Sequence, residues 1–375
     1  MKKIQQEYQV NILKYHKGKL LYSANHESGF KTISSETFSS FVLSNDMPDS
    51  KDVGSFSLLK DFDYLERKFV RFDEELRKVN KNLLVFIKKR TEQIETQGMR
   101  DQRSYQFIRV VVRKFKATPL VEESYPENLD VDDLVAFVEK IVQSEMKEKN
   151  DFEKRSMELF RENVMLSPQA AGFFVHETIG HLLEEDIYQY FKEKLASINF
   201  PENFFLYDDP TGYEYMIGMN EIDDYGQKIS FIPLIKNRKI VNHIRISEGF
   251  ARAENIDYKP LARMRMLILD NAIKGNVEKV RASKIYVSKI HAGQVIPANF
   301  TFTLKGEGTV IDFSGKRKQV KKILLSGNLK EAIESIFFIG TDQKAFSADC
   351  TKSGQTIRVG SKSPSIGFVC GKVSF

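Results

Sequence analysis

Residues 164–186 read Val164-Met165-Leu166-Ser167-Pro168-Gln169-Ala170-Ala171-Gly172-Phe173-Phe174-Val175-His176-Glu177-Thr178-Ile179-Gly180-His181-Leu182-Leu183-Glu184-Glu185-Asp186. Val164-Met165-Leu166 is a short apolar run of strand type. Ser167-Pro168 is a helix start, because a serine side chain can accept from the first free backbone N–H groups and proline is tolerated where no N–H is needed. The apolar stretch Ala170–Val175 follows, and the pattern predicts a helix from Ala170 to about Tyr190.

That helix carries His176-Glu177 and, five residues after the first histidine, His181. Two neutral imidazoles can hold a metal ion, and a carboxylate beside the first of them can accept a proton from a metal-activated water. Histidines four apart share a helix face, whereas these two stand roughly 140° apart at about 100° per residue. A straight α-helix would not converge them. A π-type turn with its i→i+5 hydrogen bond would, so the spacing predicts such a distortion at Gly180, a residue that tolerates it. A third protein ligand is needed, and the soft, ionisable candidate is Cys350, in the loop-like stretch Asp349-Cys350-Thr351-Lys352-Ser353-Gly354-Gln355. Glu184 and Asp186 are placed to orient the imidazoles as acceptors, or are simply a solvated helix end. Arg252 and Arg263 read either as groups for a substrate carboxylate or oxyanion or as ordinary ion-pair partners. Cys370 reads as structural, and His243 and His291 as surface residues.

Upstream, the charged stretch Lys147–Arg161 lacks a sustained apolar stripe and is the expected domain boundary. Before it, Asp130–Lys147 has acids in its first turn and Leu134, Val135, Val138, Ile141 and Val142 on one face, which predicts an amphipathic helix. Leu83–Ile87 and Tyr105–Phe115 are strand-like, with Gln97-Gly98 as a turn, and Asp63–Lys81 looks helical; residues 1–80 otherwise carry no functional signal. Downstream of Phe200, short runs at Lys228–Ile235, Lys239–Ile246, Phe300–Leu304 and Thr309–Phe313 alternate with Gly/Asp/Asn turns, as in antiparallel sheet. The expected fold class is therefore α+β, with two domains (1–160 and 161–375), largely antiparallel sheets with flanking helices, and the metal-motif helix opening the second domain.

The 375 residues are 41% hydrophobic and 29% charged, which excludes a disordered tail or a membrane bundle. The net charge of +6 is spread along the chain, so nucleic acid is not an expected partner. The N-terminal stretch lacks the unbroken apolar run of a secretory signal, and no run approaches the roughly 20 residues of a membrane span, so a cytoplasmic location is expected. Two cysteines make no disulfide framework.

Ser167–Gly172, His176–His181, Leu183-Glu184 and Asp186 together resemble the TldD/PmbA metallopeptidase family. The likeness continues through Asp223-Asp224-Tyr225-Gly226, Gly249 with Arg252, Pro260 with Arg263-Met264, Gly293-Gln294-Val295 with Pro297, Gly327-Asn328, and Cys350–Gln355 with Val359-Gly360. It covers roughly residues 82–375 and is strongest from Asn163. The resemblance implies a zinc-dependent peptidase acting on short unfolded peptides or trimming a peptide precursor, with Zn²⁺ on His176, His181 and Cys350 and Glu177 as general base. It also implies a related TldD/PmbA-type subunit as partner, in a heterodimer, or else a homodimer. The alternative is a non-catalytic binding or scaffold subunit of such a complex. Leu182 and Glu185 stand where the family has small residues, Arg265-Met266 replace an expected polar pair, and the first 80 residues look shortened, all of which bears on the pairing surface and substrate channel.

Overall fold

The computed structural model describes six strands between residues 2 and 112, and residues 157–375 with breaks at 218–220, 225–226, 255–257, 271–276 and 312–313. The six strands are β1 (Lys2–Gln6), β2 (Gln9–His16), β3 (Lys19–His26), β4 (Gly29–Ser34), β5 (Leu83–Thr96) and β6 (Met99–Val112). They form two three-stranded sheets, ordered β1-β5-β6 and β2-β3-β4. β5 runs well past the apolar run Leu83–Ile87, through charged residues where no alternation announces a strand. The helices expected at 63–81 and 130–147 lie outside the described residues. By contacts the chain divides into two compact units, one of Lys154–Phe375 with Met1–Lys3 and Ile94–Asp101, the other of Ile4–Gln93 with Gln102–Glu153.

Within the first unit, β7 (Glu158–Leu166) leads into α1 (Pro168–Val175), a π-turn (His176–Gly180), a 3-10 turn (His181–Leu183) and α2 (Glu185–Ala196). Then come β8 (Leu206–Asp208), β9 (Ile232–Lys236), β10 (Lys239–Ile240), β11 (Ala251–Arg252), β12 (Leu261–Ala262), β13 (Met266–Leu269) and β14 (Ile285–Ile296). β15 (Thr301–Ile311), β16 (Arg317–Asn328), β17 (Phe338–Ile339), β18 (Lys344–Lys352), β19 (Gln355–Ser363) and β20 (Ile366–Ser374) follow, and short helices lie at Glu214–Ile217, Val277–Ala282 and Leu329–Glu334. The fold is thus mixed α/β, dominated by sheet.

One sheet is ordered β16-β15-β14-β7-β20-β17, and an additional β16–β20 pairing closes five of its strands into a barrel. Along β15, Phe302, Leu304 and Val310 are buried while Thr303 and Lys305 face out, the period-two alternation of a strand with one wet face. The other sheet is ordered β10-β9-β8-β13-β19-β18. Most pairings are antiparallel, as expected, but β7–β14 and β13–β19 are parallel. A parallel pair needs a long crossover, and the β7-to-β14 crossover contains α1, α2 and much of the second sheet. Thr309–Phe313 is not a separate strand, because β15 runs unbroken from Thr301 to Ile311.

α1 packs against β7 and β14 of the barrel and against β13, β18 and β19 of the second sheet. A helix held between two sheets must be slim, and Ala170 and Ala171 are fully buried. A side chain at Gly172 would collide with the Phe346 ring of β18. On the barrel side Phe174 meets Phe302 edge-on at 6.0 Å and Phe368 at 5.0 Å. Ser167 caps α1 through Ala170 N–H at 3.2 Å, with Pro168 in the first turn. The residues expected to start this helix therefore do so.

The single helix expected to reach Tyr190 is interrupted. Glu184 is extended (φ −74°, ψ 134°), and its neighbours bond Ile244 instead: Ile244 N–H donates to Leu183 at 2.8 Å and Glu185 N–H donates to Ile244 at 2.9 Å. A fully buried carboxylate at Glu184 is satisfied only by turning the chain inward there, and that tertiary demand overrides the helical pattern.

Candidate metal centre

The π-turn falls on His176–Gly180 and brings the two imidazole rings to 4.7 Å between centroids, nearly perpendicular at 79°. His181 N–H closes the wide turn on the His176 carbonyl. Gly180 sits at an ordinary right-handed φ −54°, ψ −54°, so backbone freedom is not why it is glycine. A Cβ there would lie 2.2 Å from Met264 Sδ, in a fully buried position. Gly180→Ala is expected to cost about 1–3 kcal/mol in a denaturant melt, the usual range for overpacking a filled core; an unchanged midpoint would show that Met264 yields freely.

Cys350 arrives from β18, where it pairs with Ile357 of β19, and not from a loop as expected. The loop is the two-residue turn Ser353-Gly354, both at positive φ, joining the paired Lys352 and Gln355. Cys350 Sγ stands 3.3 Å from His181 Nε2, and one ligand atom from each of His176, His181 and Cys350 lies within 4.8 Å of the others. Two imidazole nitrogens and a thiol sulfur in one place are a borderline-soft donor set. Tetrahedral zinc, with Zn–N near 2.0–2.1 Å and Zn–S near 2.3 Å, asks for donors about 3.3–3.7 Å apart; the Cys350–His181 pair already has that spacing, and the three donor types suit such an ion, so these residues could hold a metal.

The charges favour a thiolate at Cys350 and, without an ion, an imidazolium at His181, whose proton a metal must displace. Burial alone would raise the Cys350 thiol, but His176 and His181 overrule it and bring it down to about 5, so a thiolate is available at neutral pH. Burial works against a charged His181, yet Glu184 and Cys350 carry it up to about 10. Glu184 is opposed first by its own burial and then held well below the usual carboxylate range by His181, Lys352 and Arg263. Its Oε2 lies 2.9 Å from His181 Nδ1, which directs the Nε2 face of the ring toward Cys350. Asp186 touches neither histidine; it pairs with Lys352 Nζ at 2.6 Å.

Glu177 follows His176 on the π-turn, with Oε1 3.9 Å from His176 Nε2. Burial raises its carboxyl, and the two histidines oppose that rise. Gly293 of β14 makes room for it: a Cβ at Gly293 would meet Glu177 Cγ at 2.9 Å and Leu304 Cδ2 at 2.7 Å.

The two arginines read either as substrate groups or as ion-pair partners are buried and donate to backbone carbonyls. Arg252 donates to the carbonyls of Met264, at 2.6 Å, and Arg358, at 2.5 Å. Arg263 is almost fully buried, donates to the Cys350 carbonyl at 2.9 Å and faces Glu184. His243 stacks on Tyr188, and His291 pairs with Glu307 at 3.4 Å. Sequence reasoning missed Lys352, whose Nζ reaches Glu184 at 2.7 Å; its place two residues after Cys350 on a strand, hence on the same face, was the available signal. Cys370 is buried and pushed up to about 12 by that burial, the condition of an inert structural thiol.

The sequence pattern of the PmbA/TldA metallopeptidase C-terminal domain matches residues 161–370, more than half of the chain, including most of the barrel, α1 and the three converging residues. The chain belongs to the TldD/PmbA family. Among curated relatives, it is 26% identical over 224 residues to a metalloprotease of Methanothermobacter thermautotrophicus, across 55% of this chain and 48% of that protein. It is also 26% identical over 218 residues to a zinc metalloprotease TldD homolog of Saccharolobus solfataricus, across 54% of this chain and 49% of that one. The match thus spans about half the length of these relatives. In fold, the chain is similar to TldE of Thermococcus kodakarensis (TM-score 0.56, 15% identity, 98% of this chain and 94% of that chain covered). It is likewise similar to a Thermotoga maritima protein described as a putative modulator of a DNA gyrase (TM-score 0.58, 12% identity, 98% and 94% covered). Among the described residues, no helix of this TldD/PmbA-family chain is long and apolar enough to cross a membrane.

Proposed function

We propose that the chain is a zinc-dependent peptidase that hydrolyses short unfolded peptides or trims a peptide precursor, with the division at residue 160/161 setting off its metallopeptidase domain. The observation that carries this is the convergence of His176, His181 and Cys350 from two distant segments, with Glu177 beside them. Zinc held by those three residues would supply Lewis-acid polarisation of the scissile carbonyl and of a water. Glu177 takes the proton from the attacking water and returns it to the leaving amine, and burial raises its carboxyl, the direction that makes a carboxylate a stronger base. Glu184 holds the Nδ1 side of His181, so Nε2 is the nitrogen offered for ligation.

The peptide is held by strand addition. β7 pairs with β14 only at Ile285–Val287, and between Ile290 and Ile296 the same edge of β14 carries no described strand while Gly293 lies against Glu177. An extended peptide there would be read through its backbone, with loose sequence preference. Peptides N-methylated at alternate backbone amides are expected to be cleaved at least about tenfold less efficiently, through KM, because each lost hydrogen bond contributes about 0.5–1.5 kcal/mol. Equal cleavage of plain and methylated peptides would remove strand addition.

The partner is a related TldD/PmbA-type subunit or a second copy of the chain, working in the cytoplasm. Incubating the purified chain with unstructured peptides, with and without such a subunit, tests the function. Zinc-dependent cleavage supports the peptidase; a zinc-loaded chain inert in both conditions supports the non-catalytic scaffold reading.

A further inference from the structure

Glu184 is fully buried, and among the described residues its carboxylate meets groups from the histidine turn, from β18 and from the Arg263-Met264 segment. Oε2 meets His181 Nδ1 at 2.9 Å and Lys352 Nζ at 2.7 Å. Oε1 accepts from Met264 N–H at 3.2 Å and faces Arg263 Nε at 3.6 Å. Arg263 then donates through Nη2 to the carbonyl of Cys350 itself, at 2.9 Å. Two cationic side chains therefore join one carboxylate on the histidine segment to the strand that brings the cysteine.

β18 closes one end of the sheet order β10-β9-β8-β13-β19-β18, so among the described strands its ladder runs along one side only, to β19. Lys352, at the last paired position of β18, also takes Asp186 Oδ1 at 2.6 Å, on the first turn of α2. The Nζ of Lys352 thus pins the end of β18, two residues from Cys350, to Glu184 and Asp186, two of the three acids that follow His181.

We propose that Lys352 and Arg263 are positioning residues for the metal centre: they clamp the Cys350 strand to the His181 turn through Glu184, and so set the distance between thiolate and imidazole. This rests on the zinc reading of the site. Removing one partner of a buried carboxylate also costs stability, so zinc affinity is compared on variants shown to be folded, and the clamp is read in metal affinity and not in the melting point. Outer partners of metal ligands typically change affinity about 10- to 100-fold when removed.

The test uses the full chain and two ions, zinc and cobalt(II). Zinc affinity is measured by chelator competition, and cobalt(II) reports through its thiolate-to-metal charge-transfer absorption whether Cys350 stays in the ligand set. Lys352→Met is expected to weaken zinc binding about 10- to 100-fold and to diminish the cobalt band, with Lys352→Arg recovering part of both. Arg263→Lys, which keeps the charge but loses the fork that spans Glu184 and the Cys350 carbonyl, is expected to weaken zinc in the same direction. Lys372→Met, which breaks the exposed Lys372–Glu158 pair of 2.8 Å, serves as control and is expected to change neither readout. Unchanged zinc affinity and an undiminished band in Lys352→Met would overturn the clamp, as would an equal loss in Lys372→Met. Both readouts are independent of turnover, so a chain that binds zinc yet cleaves nothing would sink the peptidase reading and still decide the clamp; a wild type that binds no zinc would overturn both.

Discussion

Glu177→Gln is expected to lower peptide hydrolysis by ~10²–10⁴-fold while the zinc content of the purified chain stays at the wild-type level. The amide has the size of the carboxylate and fills the same place between the π-turn and Gly293, but it cannot accept a proton, and general-base assistance carries a factor of that order. Glu177 is not one of the three residues whose ligand atoms gather within 4.8 Å, so its replacement leaves the donor set whole. The comparison needs both numbers on the same preparation, turnover of an unstructured peptide and zinc per chain. Full turnover in the variant would remove Glu177 from the mechanism; loss of zinc together with turnover would make it a ligand instead.

Cys350→Ala and His181→Ala are each expected to weaken zinc binding by more than the ~10- to 100-fold that outer partners of ligands contribute, because each removes a direct donor. The two variants differ in their collateral cost. Cys350 lies in a small apolar group with Ile357 and Val359, and alanine there leaves that packing nearly intact. His181→Ala strips a partner from the fully buried Glu184, which keeps Lys352, Met264 N–H and Arg263, so the fold is expected to survive with reduced stability. Equal loss of zinc with unequal loss of stability is therefore the pattern of a shared metal site. Zinc retained in Cys350→Ala would move the third ligand elsewhere.

Local signals in the sequence were read well where local chemistry decides the structure. Ser167 and Pro168 start α1 because capping is settled within one turn, and the five-residue spacing of His176 and His181 demanded the π-turn that forms. The reason for Gly180 was different from the one expected: it accommodates Met264, a contact 84 residues away that no window around the turn contains. In sequence Glu184 reads either as an acceptor for a histidine ring or as a solvated helix end beside Glu185 and Asp186; it is buried with Oε2 2.9 Å from His181 Nδ1, and only the fold reveals that Lys352 and Arg263 also converge on it. Cys350 was assigned to a loop because Lys344–Lys352 is polar and lies at the end of its sheet order, where one face packs and no apolar alternation need appear. The same holds for Arg252 and Arg263, whose burial is a property of the tertiary fold and not of their sequence neighbours.

The central claim is that His176, His181 and Cys350 form one metal site. Metal content per chain, measured on protein purified without added metal for the wild type, Cys350→Ala and His181→Ala side by side, tests it most directly. The account predicts near-stoichiometric zinc in the wild type and loss of it in both variants. A wild type that takes up no metal even when zinc is supplied would contradict it.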